Sequence, residues 1–295
     1  MVDILIAYVA GTERLMRACL ASIGRYDAGV DYGITVVTDI EASEEARDLF
    51  EGDVGRVVSY SVDNNAIGSQ RHASLLDSYM NEAQGLVLTM DSDCLPIGDR
   101  WLWQLCGFLG QNTVLPGIRW PWEPPGADVE GIEARIRGNH NWENTWVACQ
   151  LVDSDWVRTN GLRYCDGDDT GFALAAKARE QGLRMPGWMP TRCALPDGHV
   201  DPELNRMMCV VYGDKVVHIG GGSGSAVGRV VDIDGMYDKV VDRILNAQDA
   251  GWLLDEGKSH VYRFDREDDV SQYKMNRMYA EMRRYLETHD SLFGS

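Results

Sequence analysis

This sequence lacks the features that mark membrane proteins and disulfide-stapled proteins. No apolar run reaches the length of about 18 residues that a transmembrane helix needs. Its seven cysteines are odd in number and show no Cys-x-x-Cys spacing, which argues against a disulfide framework and a zinc site and favours a reducing compartment. The N-terminus has neither a basic leader nor a small-residue cleavage site, so we expect a first strand there rather than a signal peptide.

Basic residues are also scarce, since 28 Lys and Arg stand against 46 Asp and Glu, a net charge of −18. Nonspecific nucleic-acid binding is built on Lys and Arg, so a broad phosphate-binding surface is not expected, while a local basic groove stays open. The acidity otherwise serves solubility. With 295 residues, 44% of them hydrophobic, the chain is long enough for one sizeable core.

The first 110 residues alternate between apolar runs and helical patterns. Strand-like apolar runs cover residues 4–9, 34–37, 57–62 and 86–90. Helical patterns cover residues 13–23, 43–50, 69–82 and 101–109. This order predicts an α/β fold with a mainly parallel sheet flanked by helices. Such sheets bind ligands at the carboxyl ends of their strands.

The rest of the chain changes character after residue 115. Residues 116–144 are rich in Pro, Gly and Trp and are interpreted as an inserted loop with a short helix. The patterns that follow predict a strand at 145–152, helices at 154–160 and from near Asp168 to Gly182, and a hairpin around Gly213-Asp214. Two further helices are predicted at 233–247 and 272–287.

Two aspartates, Asp91 and Asp93, follow the fourth apolar run directly. Carboxylates repel one another and are costly to desolvate, so a shared cation is expected between them. Hard oxygen ligands at a strand end suit Mg²⁺ or Mn²⁺, which take further ligands from substrate phosphates. The alternative is a polar turn in which Asp93 caps the following segment.

Two predicted helix starts carry residues with possible chemistry. Arg71 and His72 lie in the first turns of a helix, where an anion would bind, although a solvated helix start has the same appearance. Asp166, Asp168 and Asp169 come before or within the first turn of another helix, as a general base or as capping residues.

His218 ends an apolar run and precedes a Gly- and Ser-rich loop at residues 220–225, which indicates either a structural histidine or a metal ligand under a loop that orders on a ligand. The tryptophans of the middle region form either an aromatic wall for an acceptor or a mixture of core and surface residues. They are Trp120, Trp122, Trp142 and Trp146.

In this order and at these spacings, the motifs resemble those of the nucleotide-sugar-dependent glycosyltransferases of the GT-A fold, particularly the inverting family 2. The matching elements are the first strand and helix in "DILIAYVAGTERLMRACLASI", the helix start Gly68-Ser69-Gln70-Arg71, the strand end Asp91-Ser92-Asp93, the pair Asp168-Asp169, and His218. The resemblance covers residues 2–225. His72 stands where that family often has Asn, and the Trp-rich insert has no general counterpart there.

The resemblance implies a domain plan and a reaction. Residues 1–230 would form the GT-A domain, with a nucleotide-binding half at about 1–115 and an acceptor half at about 116–230, followed by a C-terminal helical extension at 231–295. The reaction would be the transfer of a hexose or pentose from a nucleotide diphosphate donor, most often a UDP-sugar, to a hydroxyl acceptor, with inversion. It would take place in the cytoplasm of a bacterial or host cell.

The resemblance also implies the roles of single residues. Mn²⁺ or Mg²⁺ would be held by Asp91, Asp93 and His218, and Asp169, with Asp168 beside it, would deprotonate the acceptor. The donor would be bound by Tyr8, Asp39, Arg71, Asp91 and Ser92.

Three alternatives remain at the level of sequence. The acceptor is a glycan, a protein or, as in some viral enzymes of this fold, a hydroxylated DNA base. A nucleotidyltransferase would share the sheet and the metal, but it usually has a Gly-rich, basic loop after the first strand, and "YVAGTERL" holds a single glycine. A binding module without catalysis is disfavoured because Asp91, Asp93 and Asp169 are all present.

Overall fold

The computed structural model describes residues 1–63, 69–119, 145–166, 170–188, 190–194, 210–219, 242, 246 and 259–261. Six helices are described: α1 (Glu13–Arg25), α2 (Ser43–Phe50), α3 (Ser69–Met80), α4 (Trp101–Gly107), α5 (Ser154–Thr159) and α6 (Phe172–Glu180). The strands of the first half are β1 (Val2–Ala7), β2 (Tyr32–Asp39), β3 (Arg56–Tyr60), β4 (Leu86–Met90), β5 (Cys94–Pro96) and β6 (Gly117–Arg119). Those of the second half are β7 (Thr145–Asp153), β8 (Gly187–Trp188), β9 (Pro190–Ala194), β10 (Val210–Tyr212), β11 (Val216–His218) and β12 (Ser259–Val261).

The larger sheet has seven strands in the order β3-β2-β1-β4-β7-β6-β8. Strands β3, β2, β1 and β4 run parallel to one another, β7 runs antiparallel to both of its neighbours, and β6 pairs with β8 in parallel. The expected α/β fold with a mainly parallel sheet flanked by helices is therefore confirmed. The carboxyl ends of β2, β1 and β4 lie side by side, and they define the edge where a ligand is expected.

Helices cover both faces of this sheet, which explains why its strands are apolar almost throughout. In β1, Ile4 and Ile6 join the core cluster that includes residues of α1, α2 and α4, while Leu5 joins the cluster that includes residues of α3, α5 and α6. All three side chains are fully buried. Successive residues of a strand point to opposite faces, so a strand between two helical layers needs apolar residues at every position.

A smaller sheet of five antiparallel strands, ordered β12-β9-β10-β11-β5, abuts the end of β4 through β5. The expected hairpin is present as β10 and β11. Its turn residues Gly213 and Asp214 both have positive φ, 57° and 55°, and Lys215 N–H donates to Tyr212 O over 2.9 Å. Two left-handed residues in succession form the turn that matches the natural twist of a hairpin, which fixes the register of its strands.

The structure departs from the sequence expectations at three places. The strand β5 was not predicted, and β6 occupies the start of the segment interpreted as an insert. Helix α6 begins at Phe172, later than the start near Asp168 that the sequence predicts, because Gly171 before it has a left-handed φ of 80°. The first turn of α6 contains no acidic residue, so capping within that turn does not account for the acidic cluster before it.

Several expectations concern residues outside those that the structure describes. They are most of the Trp-rich insert, the loop at 220–225 and nearly all of the predicted C-terminal helices. In the part of the chain between the two predicted helices, β12 pairs with β9 in the smaller sheet. Within the described ranges, no helix combines the length and the apolar character that crossing a bilayer requires.

Candidate active site

The two aspartates of the acidic motif lie at the carboxyl end of β4, in a turn that leads into β5. Asp91 N–H donates to Ala148 O of β7 over 2.9 Å, and Cys94 N–H donates to Asp91 O over 2.9 Å. These bonds hold the backbone on both sides of the turn. Asp93 is buried, with 3% of its surface exposed, whereas Asp91 is partly exposed at the edge.

The smaller sheet brings His218 to this turn. In the antiparallel pair of β11 with β5, His218 lies opposite Cys94, and Ile219 N–H donates to Asp93 O over 2.8 Å. His218 Nε2 then lies 3.3 Å from Asp93 Oδ1, and both side chains are buried. The strand register therefore positions the imidazole beside the carboxylate.

These three side chains fit the requirements of a divalent metal. One ligand atom from each of Asp91, Asp93 and His218 lies within 4.8 Å of the others. Two carboxylate oxygens and an imidazole nitrogen are donors that Mn²⁺ or Mg²⁺ accepts, with further positions left to a substrate or water. Asp91 lies at the exposed side of the set, so a ligand can approach from there.

The electrostatics of His218 reflect its carboxylate neighbours. Burial alone lowers the pKa of this imidazole, but the charge and hydrogen bond of Asp93, together with the charge of Asp91, raise it above its usual value. The ring of Trp146 packs edge-to-face against the imidazole, with 4.5 Å between centroids. This contact orients the ring of the histidine and places one of the four predicted tryptophans at the candidate metal site.

A second polar group lies at the end of β2, where Arg71 of α3 meets Asp39. Arg71 places Nε at 3.0 Å and a terminal nitrogen at 2.6 Å from Asp39 Oδ2, and it also donates to Glu41 over 3.0 Å. The other oxygen of Asp39 accepts the backbone N–H of Ala42 over 2.8 Å. The Asp39 carboxylate is therefore held at both oxygens, and the guanidinium is shared by two acids.

Helix α3 connects this group to the acidic turn. His72, the residue after Arg71, places Nε2 at 3.4 Å from Asp91 Oδ1. Consecutive residues of one helix thus contact the ends of β2 and β4, which flank β1 in the sheet. The helix start fixes the spacing between the Arg71–Asp39 pair and the candidate metal ligands.

Tyr8, at the end of β1, has a more internal position than the sequence implies. Its ring is fully buried and packs edge-to-face on Phe50, with 5.1 Å between centroids. Its hydroxyl donates to Glu45 of α2, and burial together with this hydrogen bond raises the pKa of the phenol well above its usual range. Tyr8 is therefore a buried residue that holds Glu45 by a hydrogen bond.

The structure brings together most of the residues that the sequence singled out. Asp39 with Arg71, and Asp91 with Asp93 and His218, form the two groups just described. Ser92 is buried in the turn between the aspartates. Outside the described residues lie Asp168, Asp169, Trp120, Trp122 and Trp142.

Sequence reasoning missed His72, Glu41 and Glu45 as members of the site. His72 was noted beside Arg71 at a possible anion-binding helix start and as a departure from the asparagine of the resembling family, but no role at the acidic turn was predicted for it. The two glutamates follow Asp39 in an acidic run that gives no sign of which member meets Arg71 or Tyr8.

Taken as a whole, the edge is strongly acidic and is suited to a cation. Four carboxylates gather there, from Asp39, Glu41, Asp91 and Asp93. A diphosphate brings further negative charge, which these carboxylates would repel in the absence of a bridging cation.

No family model matches the sequence, and no curated protein matches it. Among solved structures, the chain is similar to the mannosyltransferase PcManGT from Pyrobaculum calidifontis in complex with GDP-Man and Mn²⁺, at 14% identity and a TM-score of 0.47, over 64% of this chain and 54% of that chain. It is similar to S. aureus TarS 1–349 at 13% identity and a TM-score of 0.43, over 63% of this chain and 57% of that chain. For the glycosyltransferase GlyE of Streptococcus pneumoniae TIGR4 the identity is 15% and the TM-score 0.36, over 55% of this chain and 37% of that chain.

This chain therefore spans about half the length of the first two of these structures. Because every TM-score lies below 0.5, these similarities assign no function to this chain, and a function has to come from the geometry of the site.

Proposed function

We propose that this chain is a metal-dependent glycosyltransferase that moves a hexose or pentose from a UDP-sugar to a hydroxyl acceptor, with inversion. The observation that carries the proposal is the convergence of Asp91, Asp93 and His218 at the carboxyl edge, beside the Arg71–Asp39 pair. The three candidate metal ligands suit the diphosphate of a nucleoside diphosphate, and the adjacent Arg71–Asp39 pair suits its nucleobase or ribose.

At the diphosphate end, Asp91, Asp93 and His218 would hold Mn²⁺ or Mg²⁺. When bound, the ion would stabilise the negative charge that develops on the leaving diphosphate. His72 would keep Asp91 oriented through its 3.4 Å contact, and Trp146 would keep the imidazole of His218 oriented. Ser92 would complete the turn between the two carboxylates.

At the nucleoside end, Asp39 and Arg71 offer complementary groups. The Asp39 carboxylate accepts hydrogen bonds and the Arg71 guanidinium donates them, as the N–H and carbonyl groups of a uracil require. Their mutual contacts of 2.6 Å and 3.0 Å hold both groups in place before a donor arrives. This preorganisation favours the binding of a nucleotide-sugar donor, which we propose to be a UDP-sugar.

For the acceptor hydroxyl, we propose Asp169 as the general base, with Asp168 as its neighbour. The described residues that flank this pair support the assignment. Gly171 packs on Val147, one residue before the Ala148 whose carbonyl binds Asp91 N–H, so the chain leaves the acidic segment close to the end of β4.

The acceptor itself is proposed only as a class. A hydroxyl of a glycan, of a protein or of a hydroxylated DNA base would serve, and Trp120, Trp122, Trp142 and Trp146 are the candidates for stacking on it. The site of action is proposed to be the cytoplasm.

The donor assignment is tested by thermal unfolding with UDP and Mn²⁺, separately and together. A ligand that binds the native state raises its stability, so a metal bridged by the diphosphate should make the joint shift exceed the sum of the separate shifts. EDTA should remove the excess. Additive shifts, or an equal response to GDP and UDP, would contradict the assignment of the site to a UDP-sugar.

The base assignment is tested with Asp169→Asn, which keeps the shape of the side chain and removes its basicity. Release of UDP from UDP-glucose and UDP-N-acetylglucosamine should fall by about 10²–10⁴-fold, while UDP and Mn²⁺ affinities stay unchanged. Asp168→Asn is the matched control and should have a smaller effect. Release of pyrophosphate from UTP and a sugar 1-phosphate, with no release of UDP from the two UDP-sugars, would identify a nucleotidyltransferase instead.

A further inference from the structure

The buried carboxylate of Asp77 lies in the second half of α3, at a position for which the sequence predicts no function. Only 7% of this residue is exposed. Its Oδ1 accepts the backbone N–H of Tyr164 over 2.5 Å, and its Oδ2 accepts that of Cys165 over 3.2 Å. Arg163 adds its Nε at 3.6 Å from Oδ2. One carboxylate thus satisfies two backbone donors that belong to neither a helix nor a strand.

The backbone of Tyr164 also bonds to Gly171, which follows the acidic residues 166–169 in the chain. Tyr164 O accepts the N–H of Gly171 over 2.9 Å, so this residue is bonded on one side to Asp77 and on the other to the residue that precedes α6. The ring of Tyr164 is fully buried beneath Gly171, which has a left-handed φ of 80°. Any other residue at 171 would be strained and would place its Cβ 2.6 Å from Val147.

The same helix is fixed at its start to the donor side of the edge. Arg71 bonds to Asp39 and His72 contacts Asp91, and Asp77 follows five residues later, about 7–8 Å along the helix axis. Helix α3 therefore contacts the candidate donor site at its start. Through Asp77 it contacts Tyr164 and Cys165, which precede Asp168 and Asp169, and Tyr164 in turn bonds to Gly171, which follows them.

We propose that Asp77 is a positioning residue that fixes Tyr164 and Cys165 and, through Tyr164, Gly171, and that these flanking residues set the place of the proposed general base. This inference rests on the proposed function for its catalytic consequence. A displacement of about 1 Å at a reacting group costs on the order of 100-fold in rate, so the loss of the anchor should lower turnover without weakening the donor site.

The test compares Asp77→Asn with Tyr164→Phe. Asparagine has the size of aspartate but one acceptor oxygen, so its amide group faces the second backbone donor. Tyr164→Phe removes a hydroxyl that is buried and has no hydrogen-bond partner among the described residues, and it leaves the backbone contacts intact. Hydrogen exchange at the amides of Tyr164, Cys165 and Gly171 should be about tenfold faster in Asp77→Asn and unchanged in Tyr164→Phe.

Turnover provides the second readout, measured as UDP release from UDP-glucose or UDP-N-acetylglucosamine with Mn²⁺ and with water as the acceptor. Asp77→Asn should lower kcat by about 10–100-fold and leave KM and the Kd of UDP within about twofold. In an Asp169→Asn background, Asp77→Asn should cost nothing further, because it acts through the base.

The outcomes separate the inference from the proposed function. Unchanged amide exchange in Asp77→Asn overturns the inference, as does faster exchange with unchanged turnover. If Asp169→Asn keeps full turnover while Asp77→Asn frees the amides, the anchor stands and the proposed base is wrong. The exchange measurement needs no substrate. Should Asp77→Asn fail to fold, exchange of these amides in the unmodified protein at the rate of an unstructured chain would overturn the anchor.

Discussion

The two halves of the candidate site hold their carboxylates in different ways. In the arginine half, defined by Arg71 with Asp39 and Glu41, a guanidinium bridges two acids. In the imidazole half, defined by Asp91, Asp93, His72 and His218, the carboxylates face imidazole rings instead. His218 Nε2 lies 3.3 Å from Asp93 Oδ1, and His72 Nε2 lies 3.4 Å from Asp91 Oδ1. Unlike a guanidinium, an imidazole can be neutral.

Of the two halves, the imidazole half is the one suited to a metal. The hydrogen bond to Glu41 raises the pKa of Arg71, and the hydrogen bond and charge of Asp39 add to this against the opposing effect of burial, so the guanidinium keeps its proton. A protonated guanidinium cannot coordinate a cation. An imidazole can lose its proton and become a ligand, so only the imidazole half can exchange a proton for a metal.

The largest effect is expected from Asp93→Asn in the imidazole half. The substitution keeps the volume of a buried side chain and removes a charged ligand, so UDP release should fall by about 10²–10³-fold. The measurement is a rate at saturating Mn²⁺, with the exposed Asp48→Asn on α2 as the matched control. A variant that retains more than half of its rate would remove the metal from the mechanism.

An intermediate effect is expected from Arg71→Lys in the arginine half. Lysine keeps the charge but loses the two-nitrogen contact with Asp39, so the Kd of UDP should rise by about 10-fold or more. Calorimetry at fixed Mn²⁺ measures it, and the dependence on Mn²⁺ concentration should not change. The control is Glu41→Gln, whose side chain is 66% exposed and whose effect should stay within about fivefold. A changed Mn²⁺ dependence in Arg71→Lys would show that the two halves are not separate.

The smallest of the three effects is expected from His72→Ala, which removes the contact with Asp91. Residues that orient a metal ligand typically affect metal affinity by 10–100-fold, and this partly exposed position should lie near the lower limit of about tenfold. Titration of Mn²⁺ in the presence of UDP measures it. His72→Gln restores a nitrogen donor at a similar distance and should recover most of the affinity. Equal losses in the two variants would mean that the contact with Asp91 does not orient that ligand.

The sequence predicted the parallel part of the fold well because its signals there are local. Helix α2 and strand β4 have the predicted bounds, 43–50 and 86–90, since a buried strand is apolar throughout and a surface helix is amphipathic. Strand β5 was missed because three residues after an acidic turn carry no period. What makes it a strand is its pairing with β11, a partner that lies far away in the chain.

The site was predictable only in its composition. Asp91, Asp93 and His218 were all identified in advance, but their mutual distances depend on the docking of one sheet against another. Asp77 shows the limit more sharply. In the pattern of α3 it reads as a polar residue on a surface helix, whereas in the fold it is buried because two backbone donors from a distant segment need an acceptor.

The turn at Gly213 and Asp214 has a consequence for the order in which this protein folds. Because the turn fixes the hairpin register, it decides that His218 faces Cys94, and a slip by one residue would turn the imidazole to the other side of the sheet. The third residue of the candidate metal set therefore arrives only once a late part of the chain has folded back onto an early one. A nascent chain that has not reached this hairpin would have two carboxylates and no closed site, so tight metal binding would mark the completed fold. Withdrawal of a metal held by Asp91, Asp93 and His218 would loosen the contact between the two sheets before it affected either sheet.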